Sequence, residues 1–278
     1  MMNSVTRSRY NIEALTRGLE ILSLFSSDKP SLSLMEVVAA LKINKSTAYR
    51  VLSTLETLGY LERDANSRRY RPSLKVLELG FTALNSLEVR QVARPYLERL
   101  AQEVNETVSL GILDGMDVVY IDRVRNRSIV GVVLGVGSHV SAHCTALGKV
   151  LLAYLPQEEL MNRLTQNKLT ALTPCTFIEP SKLLDELELV RQRGYAINDE
   201  ELAIGLRAIA APIRDLSQKT VAAINVSGPV TTISLRRLKN ELASAVVETA
   251  TQISAALGYN LNSGAKNSGS GSSWRARD

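Results

Sequence analysis

Ser33-Leu-Met-Glu-Val-Val-Ala-Ala-Leu-Lys-Ile-Asn44-Lys-Ser-Thr-Ala-Tyr-Arg50-Val-Leu-Ser-Thr-Leu-Glu-Thr-Leu58 is the stretch on which the fold of this chain turns. Ser33 and Glu36 have capping-box spacing, and Leu34, Val37, Val38 and Leu41 follow on one helical face. Lys42-Ile43-Asn44 makes a short turn, and Asn44 can cap a second helix. In that helix Ala48, Val51, Leu52 and Leu55 recur at i, i+3, i+4 and i+7. Two short amphipathic helices across a tight turn predict a helix-turn-helix.

The opposite face of the second helix is polar. Ser46, Tyr49, Arg50 and Ser53 collect there, with Lys45 and Thr54 at the edges. Arg reads guanine bidentately, Ser and Thr bond bases or phosphates, and Tyr reaches phosphate. Lys45, Ser46, Thr47, Tyr49, Arg50 and Ser53 are therefore the candidate contacts to double-stranded DNA. A solvated helix face would look the same from the helix pair alone, so the flanks decide.

Upstream, Ile12, Leu15, Leu19, Leu22 and Phe25 mark a helix that should pack beneath the pair, ended by Asp28-Lys29-Pro30. Residues 1–10, with Arg7 and Arg9, are expected to form a disordered arm. Downstream, Gly59 fits a helix C-terminus. Tyr60–Arg63 and Arg69–Arg71 read as strands around the turn Asp64-Ala-Asn-Ser67. A hairpin directly after a helix-turn-helix describes a winged helix. Arg63, Arg68, Arg69 and Arg71 crowd it, and Arg68 and Arg69 are expected to meet phosphate or the minor groove.

Charge supports this placement. Of 33 Lys and Arg and 28 Asp and Glu, residues 1–75 hold 12 and 7, so the net +5 lies there and the remaining residues are neutral. Such a distribution suits an N-terminal segment that meets a polyanion. The 278 residues suffice for about two domains. Two cysteines, Cys144 and Cys175, make no disulfide framework and point to a reducing compartment. Without a signal core or an apolar run of membrane length, the expectation is a cytoplasmic protein with no membrane partner.

Pro72 and Ser73 interrupt the pattern after the wing. Leu74–Leu87 is expected to be a linker helix with Leu77, Phe81 and Leu84 on one face. Val89–Val104 follows as another helix, with Pro95 most simply placed at a break or first turn. The second domain mixes strands and helices. Val108–Leu113 and Asp117–Asp122 suit a hairpin around Asp114-Gly115, and Ile129–Gly135 suits a further strand. Helices are expected at Thr145–Leu155, at Leu183–Arg193 (ended by Gly194) and at Leu235–Leu257, and strands at Ile209–Ile213 and Thr220–Val226. The expected division is a winged-helix domain at 1–73, a linker helix at 74–87, a ligand domain at 88–261 and a disordered tail at 262–278.

Four stretches in this order resemble the IclR family of bacterial transcription regulators. They are the winged helix with Asn44-Lys-Ser-Thr-Ala-Tyr-Arg-Val-Leu52, the linker Pro72–Gly80, Ser141-Ala-His-Cys-Thr-Ala-Leu-Gly-Lys-Val-Leu-Leu-Ala153, and Gly194–Asp215. The resemblance spans roughly residues 10 to 260, and its last two motifs are specific. It implies an α+β protein with an N-terminal winged helix-turn-helix, a linker helix and a C-terminal GAF-like antiparallel-sheet domain that binds a small effector. It also implies homodimers, often paired into tetramers, on a near-palindromic operator. Leu202–Arg207 and the linker are similar to the subgroup controlling aromatic-acid catabolism, whereas Ser138–His143 departs from that group.

Carried over from the family, the effector contacts are Thr145, Ala146 and Leu147 at a helix start, with Asn198, Ala208, Asn225 and Ser227 lining the rest. Free N–H groups at the helix start suit a carboxylate. Asn225 and Ser227 alternate along a strand and so share a face, although a satisfied core hydrogen-bond pair would look alike. Asn198 stands where acidic residues are common and Ala208 where Cys or Ser often occurs. Fewer polar side chains imply an aromatic or branched carboxylate over a tiny polar one.

Two other classes compete. His139, His143 and Cys144 could be read as a zinc site or a Cys–His nucleophile, which would make the chain a small-molecule hydrolase with an appended DNA-binding domain. They lack a distant partner at recognisable spacing, and Cys is most often a small buried residue. A non-specific DNA-architectural protein is the other class, and the neutral second domain argues against it. No cofactor fingerprint, metal motif or catalytic constellation stands out, so the expectation is a regulator that is not an enzyme.

Overall fold

Both helices of the helix-turn-helix begin at residues that can cap them. In this computed structural model, which describes residues 11–26, 29–125 and 134–260 with the side chains of Phe81 and Asn85 excepted, three helices form first: α1 (Glu13–Leu22), α2 (Leu34–Leu41) and α3 (Lys45–Thr57). Ser33 Oγ accepts from the Glu36 N–H, and the Glu36 carboxylate accepts from the Ser33 N–H at 2.7 Å, a full capping box. Asn44 Oδ1 accepts from the Thr47 N–H at 2.7 Å and starts α3. Lys42 ends α2 in the left-handed region, at φ 52°, and so turns the chain toward α3.

The apolar stripes of the three helices meet around Ile21, Val37, Ala48, Leu52 and Leu55. The wing closes this core with β1 (Leu61–Arg63) and β2 (Tyr70–Pro72), antiparallel with Glu62 opposite Arg71. Tyr70 is buried, and its backbone also exchanges two hydrogen bonds with Leu32, at 2.9 and 2.8 Å. The core is small, so capping bonds worth about 1 kcal/mol each are a sizeable share of its stability. Ser73 then caps α4 (Leu74–Asn85).

The chain divides into two compact units at Ser86/Leu87. The second begins with α5 (Glu88–Val104). Pro95 was expected at a break or first turn, but it lies inside this helix. The apolar positions Val89, Ala93, Leu97, Leu100 and Val104 run on unbroken across it, and their burial outweighs the bond Pro95 cannot donate.

Six strands follow: β3 (Thr107–Asp114), β4 (Asp117–Val124), β5 (His139–Ser141), β6 (Ala196–Asp199), β7 (Leu206–Arg214) and β8 (Thr220–Pro229). They form one antiparallel sheet in the order β5-β4-β3-β8-β7-β6. Between β5 and β6 run a 3₁₀ turn (Ala142–Cys144), α6 (Ala146–Ala153), α7 (Gln157–Gln166) and α8 (Pro180–Arg193). After β8 come α9 (Leu235–Arg237), a wider π turn over Leu238–Leu242, and α10 (Ala243–Ala256). Together these occupy most of the span expected as one helix from Leu235 to Leu257. Helix α6 packs on the sheet with α8 stacked against it, while α5 and α10 pack together against the sheet. The architecture is the expected α+β, with a helix-turn-helix region followed by an antiparallel-sheet domain.

The expected arm at 1–10, Asp28 in the first helix stop, most of the expected strand at 129–135, the place of Phe81 on the α4 face and the expected tail at 262–278 lie outside the described residues. Strands β5 and β6 and helix α7 were not anticipated. Each is short or weakly patterned, and the sheet edge places β5 and β6 through pairing with strands already present.

Candidate functional site

Packing Ala48, Leu52 and Leu55 inward leaves the other side of α3 in solvent. Lys45, Ser46, Tyr49 and Arg50 are exposed, and Thr47 and Ser53 are half-buried. Ser46 Oγ donates to Asn44 Oδ1 at 2.9 Å, so it also supports the cap. Arg50 makes no ion pair among the described residues.

The wing arginines differ in what holds them. Arg69 donates to Ser31 Oγ at 3.0 Å and to the Ser31 carbonyl at 2.8 Å, and it pairs with Glu36 at 2.9 Å. It staples the wing to the start of α2. Those bonds hold the Glu36 carboxyl down at about 2, with Ser33 the larger cause and Arg69 the smaller. Arg71 pairs with Glu62 at 2.9 Å, and Arg63 lies over the Tyr70 ring. Arg68 sits at φ 55° in the wing turn with no ion pair among the described residues. Of the two wing residues expected at DNA, Arg68 thus carries the unengaged guanidinium and Arg69 the structural one.

The second site is built around the start of α6. The 3₁₀ turn delivers Thr145 as the cap, and Thr145 Oγ1 accepts from the Gly148 N–H at 2.9 Å. The N–H groups of Ala146 and Leu147 precede any intrahelical acceptor, as at every helix start. A Cβ on Gly148 would fall 2.1 Å from the Ala142 carbonyl oxygen, so the turn closes this tightly only around glycine. Asn198 donates from Nδ2 to the Cys144 carbonyl and accepts from the Glu201 N–H at 3.3 Å. Its amide fixes the turn against β6.

Beneath α6 lies the sheet face carrying Ala208, Ala210 and Ala223, which share a core with Leu147 and Val150. Ala208 stands opposite Ser227 on β8 and opposite Asn198 on β6. Asn225 stands opposite Ala210 on β7 and opposite Ser109 on β3, and Ser109 stands opposite Arg123 on β4. The structure therefore brings Asn198, Ala208, Asn225 and Ser227 onto one face near Thr145, Ala146 and Leu147. It adds Ser109 and Arg123, which sequence reasoning missed. Ser109 Oγ, Asn225 Oδ1 and Arg123 Nε are buried without a hydrogen-bond partner among the described residues. Such an atom costs about 1–3 kcal/mol in a folded protein.

Lys149 was also missed, although a Lys within Ala146–Ala153 is a visible break in an apolar run. Its Nζ is buried, pairs with Glu201 at 2.6 Å and Glu186 at 3.6 Å, and lies 5.0 Å from the Phe177 ring centre. Burial pushes the Glu201 carboxyl up and Lys149 pulls it back. This cluster ties α6 to α8 and to the segment after β6.

His139 is exposed, whereas His143 is buried with Nε2 at 3.0 Å from the Thr170 carbonyl oxygen. Cys144 is buried, its Sγ donates to the Ser141 carbonyl, and burial pushes its thiol up to about 12. At neutral pH it is a protonated packing residue. Among the described residues no group of three His, Cys, Asp or Glu is placed to hold a metal. Nor is any described helix long and apolar enough to cross a membrane.

A winged-helix head followed by a separate antiparallel-sheet domain defines the architecture of a transcription regulator with its own effector domain. Residues 14–65 match the IclR helix-turn-helix domain, and residues 81–255 match the bacterial transcriptional regulator IclR C-terminal domain. The chain is 31% identical to the HTH-type transcriptional regulator XynR of Escherichia coli K12, over 89% of this chain and 98% of that protein. A Rhodococcus transcriptional regulator is 38% identical in its crystal structure, with a TM-score of 0.79 over 89% of this chain and 99% of that one. An IclR homologue from Microbacterium hydrocarbonoxydans, solved with 4-hydroxybenzoate, is 25% identical, with a TM-score of 0.77 over 88% of this chain and 98% of that one. The chain belongs to the IclR family of bacterial transcription regulators and carries that family's DNA-binding and effector domains.

Proposed function

We propose that this regulator binds a near-palindromic operator as a homodimer and that a small organic acid at the start of α6 changes its affinity. The observation that carries the effector half is Ser109 Oγ, buried without a partner on the sheet face that α6 covers, below the Ala146 and Leu147 N–H groups that precede any intrahelical acceptor; Asn225 Oδ1 beside it is an acceptor that a hydroxyl on the ligand would satisfy. A carboxylate on those N–H groups, with its body over Ala208, Ala210 and Ala223, satisfies the donors and keeps apolar surface covered. The apolar neighbours favour an aromatic or branched acid, and the 4-hydroxybenzoate bound by the Microbacterium relative agrees.

The homodimer is supported by the head itself. Leu15, Leu19, Leu22, Leu55, Leu58 and Leu79 line a groove of about 850 Å³, with Thr47 and Arg50 on its α3 side. Leu15, Leu19 and Leu58 are more than half exposed there. A second head resting on the α1 leucines and Leu58, and leaving the Thr47 and Arg50 side of the groove open to DNA, would present two recognition helices to two half-sites. Effector control then follows from unequal binding of the acid to two arrangements of the dimer. The buried, protonated Cys144 gives the hydrolase reading no nucleophile, and we propose no catalytic role.

The test is a gel shift on the DNA upstream of the protein's own gene against scrambled DNA at equal salt, with a panel of acids. Selective binding altered by aromatic or branched acids is expected. Equal binding to both DNAs would favour the architectural reading. Calorimetry in which only glyoxylate or pyruvate binds would overturn the effector class.

A further inference from the structure

We propose that Arg123 and Ser109 form a second anion subsite in the effector site, so that the effector is an acid with two anionic ends. This rests on the carboxylate-effector reading and extends it. Arg123, Ser109 and Asn225 are opposite one another in sequence across β4, β3 and β8, so their side chains share the sheet face that α6 covers. Three of the buried polar atoms without a partner belong to this one row. A single row of this kind marks something the fold leaves for a ligand to complete.

The chemistry of the row is directional. Arg123 offers only donors, Ser109 a hydroxyl, and Asn225 an unsatisfied carbonyl oxygen. Arg123 Nη1 donates to the Leu134 carbonyl at 2.9 Å, and Arg125 Nη2 donates to the same oxygen at 3.0 Å. Among the described residues neither has an ion-pair partner. The nearest acid in the strand, Asp122, faces the other side of the sheet and is taken by Arg94 at 2.6 Å and Arg90 at 3.6 Å. Strand alternation thus separates Arg123 from the carboxylate beside it. A partly buried guanidinium without a carboxylate is rare, because burial is ordinarily balanced by pairing. Burial indeed pushes this guanidinium down from its usual range, yet it stays cationic at neutral pH.

An acid lying along the row meets the α6 N–H groups at one end and Arg123 with Ser109 at the other. Asn225 and Arg123 are two strand spacings apart, roughly 10 Å. A ring or chain bearing two carboxylates suits that span better than a two- or three-carbon acid.

The test is calorimetric titration of the full chain with two matched pairs, benzoate and terephthalate, hexanoate and adipate. Each diacid is expected to bind at least about tenfold more tightly than its monoacid, the scale of one charge-assisted contact. Arg123→Gln should bring that ratio to about one, and Arg123→Lys should restore part of it. Thermal unfolding of each variant checks that it folds, and if Arg123→Gln does not, Arg123→Lys and Ser109→Ala must each lower the ratio. Equal affinity within both pairs, or a diacid preference that survives these substitutions, would overturn the second subsite while the monoacids still upheld the carboxylate reading. No heat from any of the four acids would overturn both.

Discussion

The two units handle polar side chains in opposite ways. In the head, Lys45, Tyr49 and Arg50 stand in water, where an unpaired charge costs little. In the sensor, Ser109, Asn225 and Arg123 place unpartnered atoms out of water, where each costs stability. The head must meet a polyanion of fixed shape, so exposed donors on a rigid helix serve it. A sensor that selects one small acid, as proposed, gains from buried groups, which discriminate more sharply because a wrong ligand leaves them unsatisfied.

The contrast can be broken first at Lys149. Lys149→Ala leaves Glu201 and Glu186 without their buried cation, and a loss of about 3–5 kcal/mol in urea unfolding is expected. A loss below about 1 kcal/mol would mean that water or neighbouring groups compensate. Arg50→Ala should leave unfolding almost unchanged while weakening operator binding by about 1–3 kcal/mol and relaxing sequence preference, measured by competition gel shift. Asn44→Ala removes the cap of α3 and should cost about 1 kcal/mol of stability. Ser109→Ala sharpens the comparison. Deleting a buried, unpartnered hydroxyl should leave stability unchanged or raise it by up to about 1 kcal/mol, while effector affinity falls.

The smallest effect is the pH response of the head. Glu36 has its carboxyl at about 2 in the folded chain, against 4.5 ordinarily. A depressed carboxyl stabilises the fold fully above its unfolded value, and that stabilisation fades as pH falls from 4.5 toward 2. Glu36→Gln should flatten this part of the pH–stability curve, followed by circular dichroism. An unaltered curve would place the acid sensitivity elsewhere.

The head was largely legible from sequence because its signals are local. Ser33 with Glu36, Asn44 with Thr47, and the stripe Ala48–Leu55 lie within one or two turns of each other. The role of Arg69 was not legible, since its partner Ser31 lies 38 residues away across the wing. The sensor hid more for the same reason. Asn225 and Ser227 came from the family resemblance, with strand alternation putting them on one face, but Ser109 and Arg123 join them only through register across strands over a hundred residues apart. Pro95 misled because a local breaker was weighed without the apolar face that carries α5 past it.

The central claim is that the exposed face of α3 reads DNA and the buried row reads the acid, with separable chemistry. Fluorescence anisotropy of the full chain on its operator, with and without terephthalate, tests it in wild type, Arg50→Ala and Asn225→Ala. Wild type should show an acid-dependent shift of about fivefold or more, in the range of ordinary coupling between sites. Arg50→Ala should weaken operator binding yet keep the ratio, whereas Asn225→Ala should bind the operator and lose the ratio. A ratio that persists in Asn225→Ala, or disappears in Arg50→Ala, would contradict the separation.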